Sequence, residues 1–282
     1  MFKERLVQYL LLALALTAVA SLLVITVFIL REGVPVFAAQ GVWNFLTGRT
    51  WAPTQQQFGI LPMILGSLWV TAGALFLGVP LGLAVAIFIT DYSPAVLADA
   101  LRPAIQLLAG IPSVIYGFIG LKVLVPIIRD NLGGPGLSIL AGALVLGIMI
   151  LPNIIAISED AIRAVPRSYR EGALALGATH WQSLWRVVIP AARSGIVASV
   201  VLGMGRAVGE TMAVIMVVGN SLRLPTSPLD PATTLTSNIG LEMGYASGLH
   251  RQALFATGIV LFIFIMLLNL IATAFRRRAT HA

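Results

Sequence analysis

Hydrophobic residues in this chain run in long blocks, not in the short alternations of strands or the one-sided stripes of surface helices. The blocks cover residues 6–30, 60–90, 111–128, 137–157, 191–219 and 252–275. About 20 apolar residues suffice to cross a bilayer as a helix, so the pattern predicts an all-α integral membrane protein with six transmembrane helices. Ala18-Val19-Ala20 resembles a signal-cleavage site, but the first block continues ten residues past it. An uncleaved anchor is therefore expected, with cleavage at Ala20 as the alternative. Residues 31–57 are polar with Trp43, Phe45 and Trp51, which suits a membrane interface. Residues 91–109 predict a surface helix after Pro94, and 220–251 a long polar loop with Pro225, Pro228 and Pro231. The expected organisation is an anchor and external segment over 1–58, a core over 59–275 and a basic cytosolic tail over 276–282.

The longest polar interruption is the loop 158–190, and Val165 to Pro190 carries its own helix punctuation. Ser168 is followed three residues later by Glu171, a capping-box spacing that starts a helix after Pro166. Gly177 suits a left-handed helix end. Thr179 and Gln182 repeat the capping-box spacing, and Pro190 fits a first helical turn. Two short helices meeting at a glycine corner predict a docking surface for a soluble partner.

Composition agrees with the membrane assignment: 58% of residues are hydrophobic and 10% charged, against about 25% charged in soluble domains. The net charge of +7 lies in short loops and tails without a basic face, which excludes a nucleic-acid site. With both termini in the cytosol, eleven of the 18 Lys and Arg residues fall inside and five outside, as the positive-inside rule requires. Cysteine is absent and His180, His250 and His281 are far apart, so no metal site is supported. The chain has no Walker-type phosphate loop, so any ATP-driven motor must be a separate polypeptide.

Besides Arg193 at its cytosolic end, two charges fall about halfway along the fifth block. Arg206 and Glu210 are four residues apart, which on a continuous helix puts them on one face. Each costs about 2.5–3.5 kcal/mol or more at a bilayer centre, so both should face protein or a wet cavity. Two readings remain open. The pair neutralises itself and only fixes packing, or arginine supplies a planar fork of donors to an anion. Beside such a path, Glu210 accepts a hydrogen bond from an oxyanion that keeps a proton, as phosphate does and sulfate does not. Lys122, within the third block, is a weaker candidate because its stem can reach an interface. Ala191, Gly195, Ser199, Gly203 and Ala207 form one ladder of small residues, and Gly205, Gly209 and Ala213 another. Such seams let helices approach closely, within the chain or at a subunit interface. An intramembrane enzyme would need a catalytic constellation that the blocks do not contain.

Glu171-Gly172-Ala173, Gly177, Val187, Ile189 and Pro190 resemble the E-A-A-x3-G-x9-I-x-L-P loop of ABC-importer permeases. Glu171, Ala173, Gly177 and Pro190 match; Gly172, Val187 and Ile189 depart conservatively. Arg206 to Glu210, then Thr211-Met212-Ala213-Val214 and Val218-Gly219-Asn220, resemble the PstC-type permeases of bacterial phosphate importers, as does Ala109 to Phe118. The resemblance covers about residues 60 to 275. It implies a type I ABC-importer permease fold in the bacterial inner membrane and a subunit that is not itself an enzyme. It implies Arg170, Glu171, Ala173, Gly177 and Pro190 in ATPase coupling, and Arg206, Glu210 and Thr211 in substrate translocation. The implied partners are a PstA-type second permease, a PstB-type ATPase dimer carrying ATP and Mg, a PstS-type external phosphate-binding protein and membrane lipid. The substrate alternatives within the same class are sulfate, molybdate and phosphonate.

Overall fold

Proline and glycine punctuate the elements of the computed structural model, which describes residues 2–280, with side chains for Arg5 and residues 7–270. The side chains of Lys3 and of the basic tail, and residues 281–282 with His281, lie outside the described residues. In chain order the elements are α1 (Phe2–Gln40), α2 (Val42–Thr47), a hairpin of β1 (Trp51–Ala52) and β2 (Gln57–Phe58), and α3 (Leu61–Ile87). Then come α4 (Ala95–Gly110), α5 (Ser113–Ile119), α6 (Val125–Leu132), α7 (Ile139–Arg163), α8 (Arg167–Ala175) and α9 (His180–Ser183). α10 (Ile189–Gly209), α11 (Met212–Val217), α12 (Leu235–Glu242) and α13 (Gly248–Thr280) complete the chain. Wider π turns cover Phe88–Tyr92, Gly120–Leu124 and Leu184–Val188.

Among the described residues, five helices are long and apolar enough to cross a membrane, or six counting the pair 95–110 and 113–132. That pair bends by 92° at Ile111-Pro112, where Pro112 cannot continue the helix of α4. The core is built on α7, which packs against both α3 and α10. Ile154, fully buried, fills the groove between Gly82 of α3 and Gly203 of α10. Ser158 donates to Ser199 Oγ at 2.8 Å, and the Ser199 hydroxyl donates to the Ile196 carbonyl at 2.7 Å. The ladder Gly195, Ser199, Gly203 is thus the seam between α10 and α7. The second ladder is different: a Cβ added at Gly205 or Gly209 would meet nothing within 4 Å.

α1 stands apart. Its apolar surface over residues 7–25 is exposed, and it packs farther along, on α13 and, near its end, on α2. Gly33 lies against Ala256 and Ile259, and Phe28 meets Phe255 edge to face with centroids 5.4 Å apart.

Three expectations need correction. The fifth block is not one helix over 191–219. α10 stops at Gly209 and Glu210 is extended (φ −71°, ψ 130°), because its side chain turns to accept from the Ala213 N–H at 3.1 Å and so starts α11. Residues 220–251 are not a solvated loop. Gly219, at φ +92°, turns the chain back, Gly219 pairs with Ala232, and Thr233 through Asn238 are buried. Hydroxyl side chains make this possible by satisfying one another and the backbone: Thr234 and Ser237 form a reciprocal cap on α12. Finally, Ser168 does not cap α8; Pro166 precedes its first residue and no side chain caps it.

Candidate functional site

The structure places the candidate residues in two groups at different levels of the chain. The first surrounds the break after α10. Arg206, in the last turn of α10, points Nη1 at Asn153 Oδ1 of α7, 3.4 Å away. Glu210 uses Oε1 for the Ala213 N–H, and its own carbonyl accepts from Thr236 Oγ1 at 2.9 Å. No ion pair joins Arg206 to Glu210 among the described residues, so the expected shared face does not exist. Thr211 sits at the corner, its hydroxyl 3.4 Å from the Gly209 carbonyl. Glu210 also borders a cleft with Ser67, Thr71, Thr234 and Thr236, which has no water-sized volume in this structure. Ser67 of α3, on the wall of this cleft, accepts from the Leu235 N–H at 3.0 Å. Lys122 is exposed on its π turn.

The chemistry of the group follows from an imbalance. A guanidinium has five N–H donors and no acceptor. Arg206 makes one long bond to a neutral amide, and its charge meets no carboxylate within ion-pair distance among the described residues. Such a cation in a membrane-spanning helix is suited to a transient anion.

The second group lies where α8 and α9 join the ends of α3 and α7. Gly177 is at φ +84°, a region open to glycine at little cost. It turns α8 into Thr179, which caps α9 together with Gln182: Gln182 N–H to Thr179 Oγ1 at 3.2 Å, Thr179 N–H to Gln182 Oε1 at 2.9 Å. Pro190 is in the first turn of α10. Glu171 is exposed and Ala173 half-buried, on a helix that buries none of its residues. Leu176 is 91% exposed, with Trp181 and Trp185 also outside, an apolar surface larger than a solvated loop keeps. Arg170 pairs with Asp91, at the end of the π turn that continues α3. A cavity of about 670 Å³ beneath α8 is bounded by Arg163, Arg167, Arg170, Glu171 and Thr90.

Sequence reasoning missed Asn153, Thr236, Asp91 and Glu159. Asn153 carried a signal, an amide within an apolar block. Asp91 read only as the end of one. Glu159 is 7% exposed and ties α4 to α7, accepting from Arg102 Nε at 2.7 Å and facing Arg163 Nε at 3.2 Å.

A third cluster caps the end of α13 that lies beside the hairpin. Glu242 Oε2 accepts from Trp51 Nε1 at 2.8 Å and lies 2.7 Å from His250 Nε2, with Phe58 stacked on the imidazole. Burial, and then the Glu242 charge, push the Tyr245 hydroxyl above its ordinary value.

Residues 78–281 match the family described as binding-protein-dependent transport system inner membrane component. The chain is 46% identical over 272 residues to the probable ABC transporter permease protein YqgH of Bacillus subtilis, covering 93% of this chain and 88% of that one. It is 40% identical over 272 residues to the phosphate transport system permease protein PstC of Haemophilus influenzae, covering 86% of each. Among solved structures it resembles a chain of the bacterial alginate ABC transporter bound to its alginate-loaded periplasmic protein, with TM-score 0.68, 18% identity and coverage of 99% and 98%. A chain of the inward-facing methionine transporter MetNI aligns with TM-score 0.62 and 22% identity over 78% of this chain and 95% of that one.

Proposed function

The chain belongs to the family of binding-protein-dependent transport system inner membrane components, and from that premise we propose that it is the permease subunit through which inorganic phosphate crosses the bacterial inner membrane. The substrate rests on the phosphate permeases among its relatives. The observation that carries the reading is Arg206, a cation within a spanning helix whose donors are not taken by Glu210. Arg206, Glu210 and Thr211 contact the anion in transit; Glu210 discriminates by accepting a hydrogen bond from a protonated oxyanion.

The partners in this reading are a PstA-type permease beside the Gly205 and Gly209 face, and a PstB-type ATPase dimer binding ATP and Mg. A PstS-type phosphate-binding protein docks outside. Both termini face the cytosol. Arg170, Glu171, Ala173, Gly177 and Pro190 then belong to the element that receives the ATPase stroke, and the exposed Leu176 and Trp181 supply apolar contact area.

The test is initial uptake of labelled phosphate and of labelled sulfate by cells lacking this gene, with and without its restoration. Restoration of phosphate uptake alone is expected. Restoration of sulfate uptake alone would move the reading to another oxyanion of the same class.

A further inference from the structure

Asp91 is a carboxylate with no exposed side-chain surface, and it sits where a membrane helix meets the two coupling helices. α3 and its π turn form one helix from Leu61 to Tyr92. At its far end the Asp91 carboxylate pairs with Arg170 of α8, while His180 Nε2 of α9 stands 3.9 Å from the same oxygen. Tyr92 adds an edge-to-face contact with the His180 ring, centroids 5.7 Å apart. The Arg170 pair is thus the nearest compensation of the Asp91 charge, with His180 farther off.

The rest of α8 is loosely attached. It buries no residue and stands over the 670 Å³ cavity, touching chiefly α9 and the Leu184–Val188 turn. A buried carboxylate without its partner is strongly unfavourable. A displacement of Arg170 therefore either drags the end of α3 with it or leaves Asp91 uncompensated. α3 carries such a movement far. Ser67 lies 24 residues earlier, about 35 Å along the helix axis, and there it holds Leu235 beside the Glu210 cleft. A π turn at the helix end is a common feature of functional positions.

We propose that Asp91 is a positioning residue for energy coupling: through Arg170 it fastens α8 to α3, so that movement imposed on α8 is delivered to the Ser67 end, where the cleft opens. The proposal rests on the importer reading, and its test does not require the substrate to be known.

The chain has no cysteine, so a spin label on Leu68→Cys, at an exposed position next to Ser67, is the sole label on this subunit. The assembled complex is compared without nucleotide and with ATP plus vanadate, in otherwise wild-type, Asp91→Asn and Asp91→Glu forms. The label should change its spectrum in the wild-type background. Asp91→Asn should reduce that change roughly tenfold, the order of a lost coupling energy, with the ATPase subunit co-purifying at the wild-type ratio. Asp91→Glu, which keeps the charge, should retain most of it. The proposal is overturned by a label that does not respond in the wild-type background, by a normal response in Asp91→Asn, or by equal loss in Asp91→Glu. It is equally overturned if the Asp91→Asn loss only follows loss of ATPase from the complex. Phosphate uptake by the wild-type complex, run in parallel, tests the substrate separately: its absence would count against phosphate and leave the Asp91 comparison readable.

Discussion

Arg206 on α10 addresses Asn153 on α7, its Nη1 3.4 Å from the amide oxygen, while Glu210 four residues later serves the backbone of α11. Replacing the amide by a carboxylate therefore gives Arg206 a permanent counter-ion. Asn153→Asp should leave insertion unchanged and lower phosphate uptake per inserted molecule by about tenfold, since a resident ion pair competes with a transient anion. Uptake at the wild-type level would show that Arg206 does not meet the substrate.

The two glycine ladders make opposite predictions. A Cβ at Gly195 collides with Ala161, so Gly195→Val should destabilise the chain by about 1–3 kcal/mol through overpacking. Gly209 is exposed and a Cβ there meets nothing within 4 Å, so Gly209→Leu should leave the isolated chain's thermal stability unchanged and reduce recovery of the second permease. Melting of the detergent-solubilised chain and pull-down of the partner measure the two effects separately.

Gly177→Pro should abolish substrate-stimulated ATP hydrolysis without preventing insertion. Proline fixes φ near −65°, whereas this corner needs +84°. Nothing lies within 4 Å of a Cβ there, so the fault is the altered angle between α8 and α9 together with loss of the Gly177 N–H bond to the Leu174 carbonyl at 2.9 Å. Hydrolysis by the reconstituted complex, normalised to bound ATPase, is the readout.

Much of this architecture is legible in the amino-acid pattern because bilayer-crossing helices announce themselves by length and hydropathy. The Thr179–Gln182 cap, the Gly177 corner and Pro190 were readable because each follows from local backbone chemistry. The break at Glu210 was not. Apart from Arg193, Arg206, Glu210 and Thr211, residues 191–219 are apolar or small, and the Glu210 side chain folding onto Ala213 interrupts the helix. The return of Thr233 to Asn238 into the core was equally hidden, since polar residues read as loop until their hydroxyls are seen to pair with one another. Asp91 pairs with Arg170 of α8, and Glu159 with Arg102, 57 residues away on α4, which local spacing cannot reveal; the Glu159–Arg163 pair, four residues apart on α7, was within its reach.

The turn before α12 carries a pH dependence. Asp230 Oδ2 accepts from the Thr226 N–H, the Thr226 hydroxyl and the Ser227 N–H at 2.8–2.9 Å. The Thr226 backbone bond foremost, then its hydroxyl and Ser227, hold this carboxyl below its ordinary value, with burial opposing. A depressed carboxyl contributes order that is full above the unfolded value, about 3.9, and is lost as pH falls through the lower folded value. Amide protection over residues 224–231, relative to the free-peptide rate at each pH, should fall only below about pH 4 in the wild type. In Asp230→Asn it should be low already at neutral pH and should not change on acidification in that range.

The central claim, that Arg206 meets the transported anion, is tested most directly by initial phosphate uptake per inserted molecule in proteoliposomes holding the full complex. Arg206→Lys keeps the charge and loses the planar fork; Arg206→Met removes the charge and leaves the Glu210 contact with the Ala213 N–H in place. Both should lower uptake by about tenfold or more while membrane abundance holds. Wild-type normalised uptake in Arg206→Met would contradict the claim.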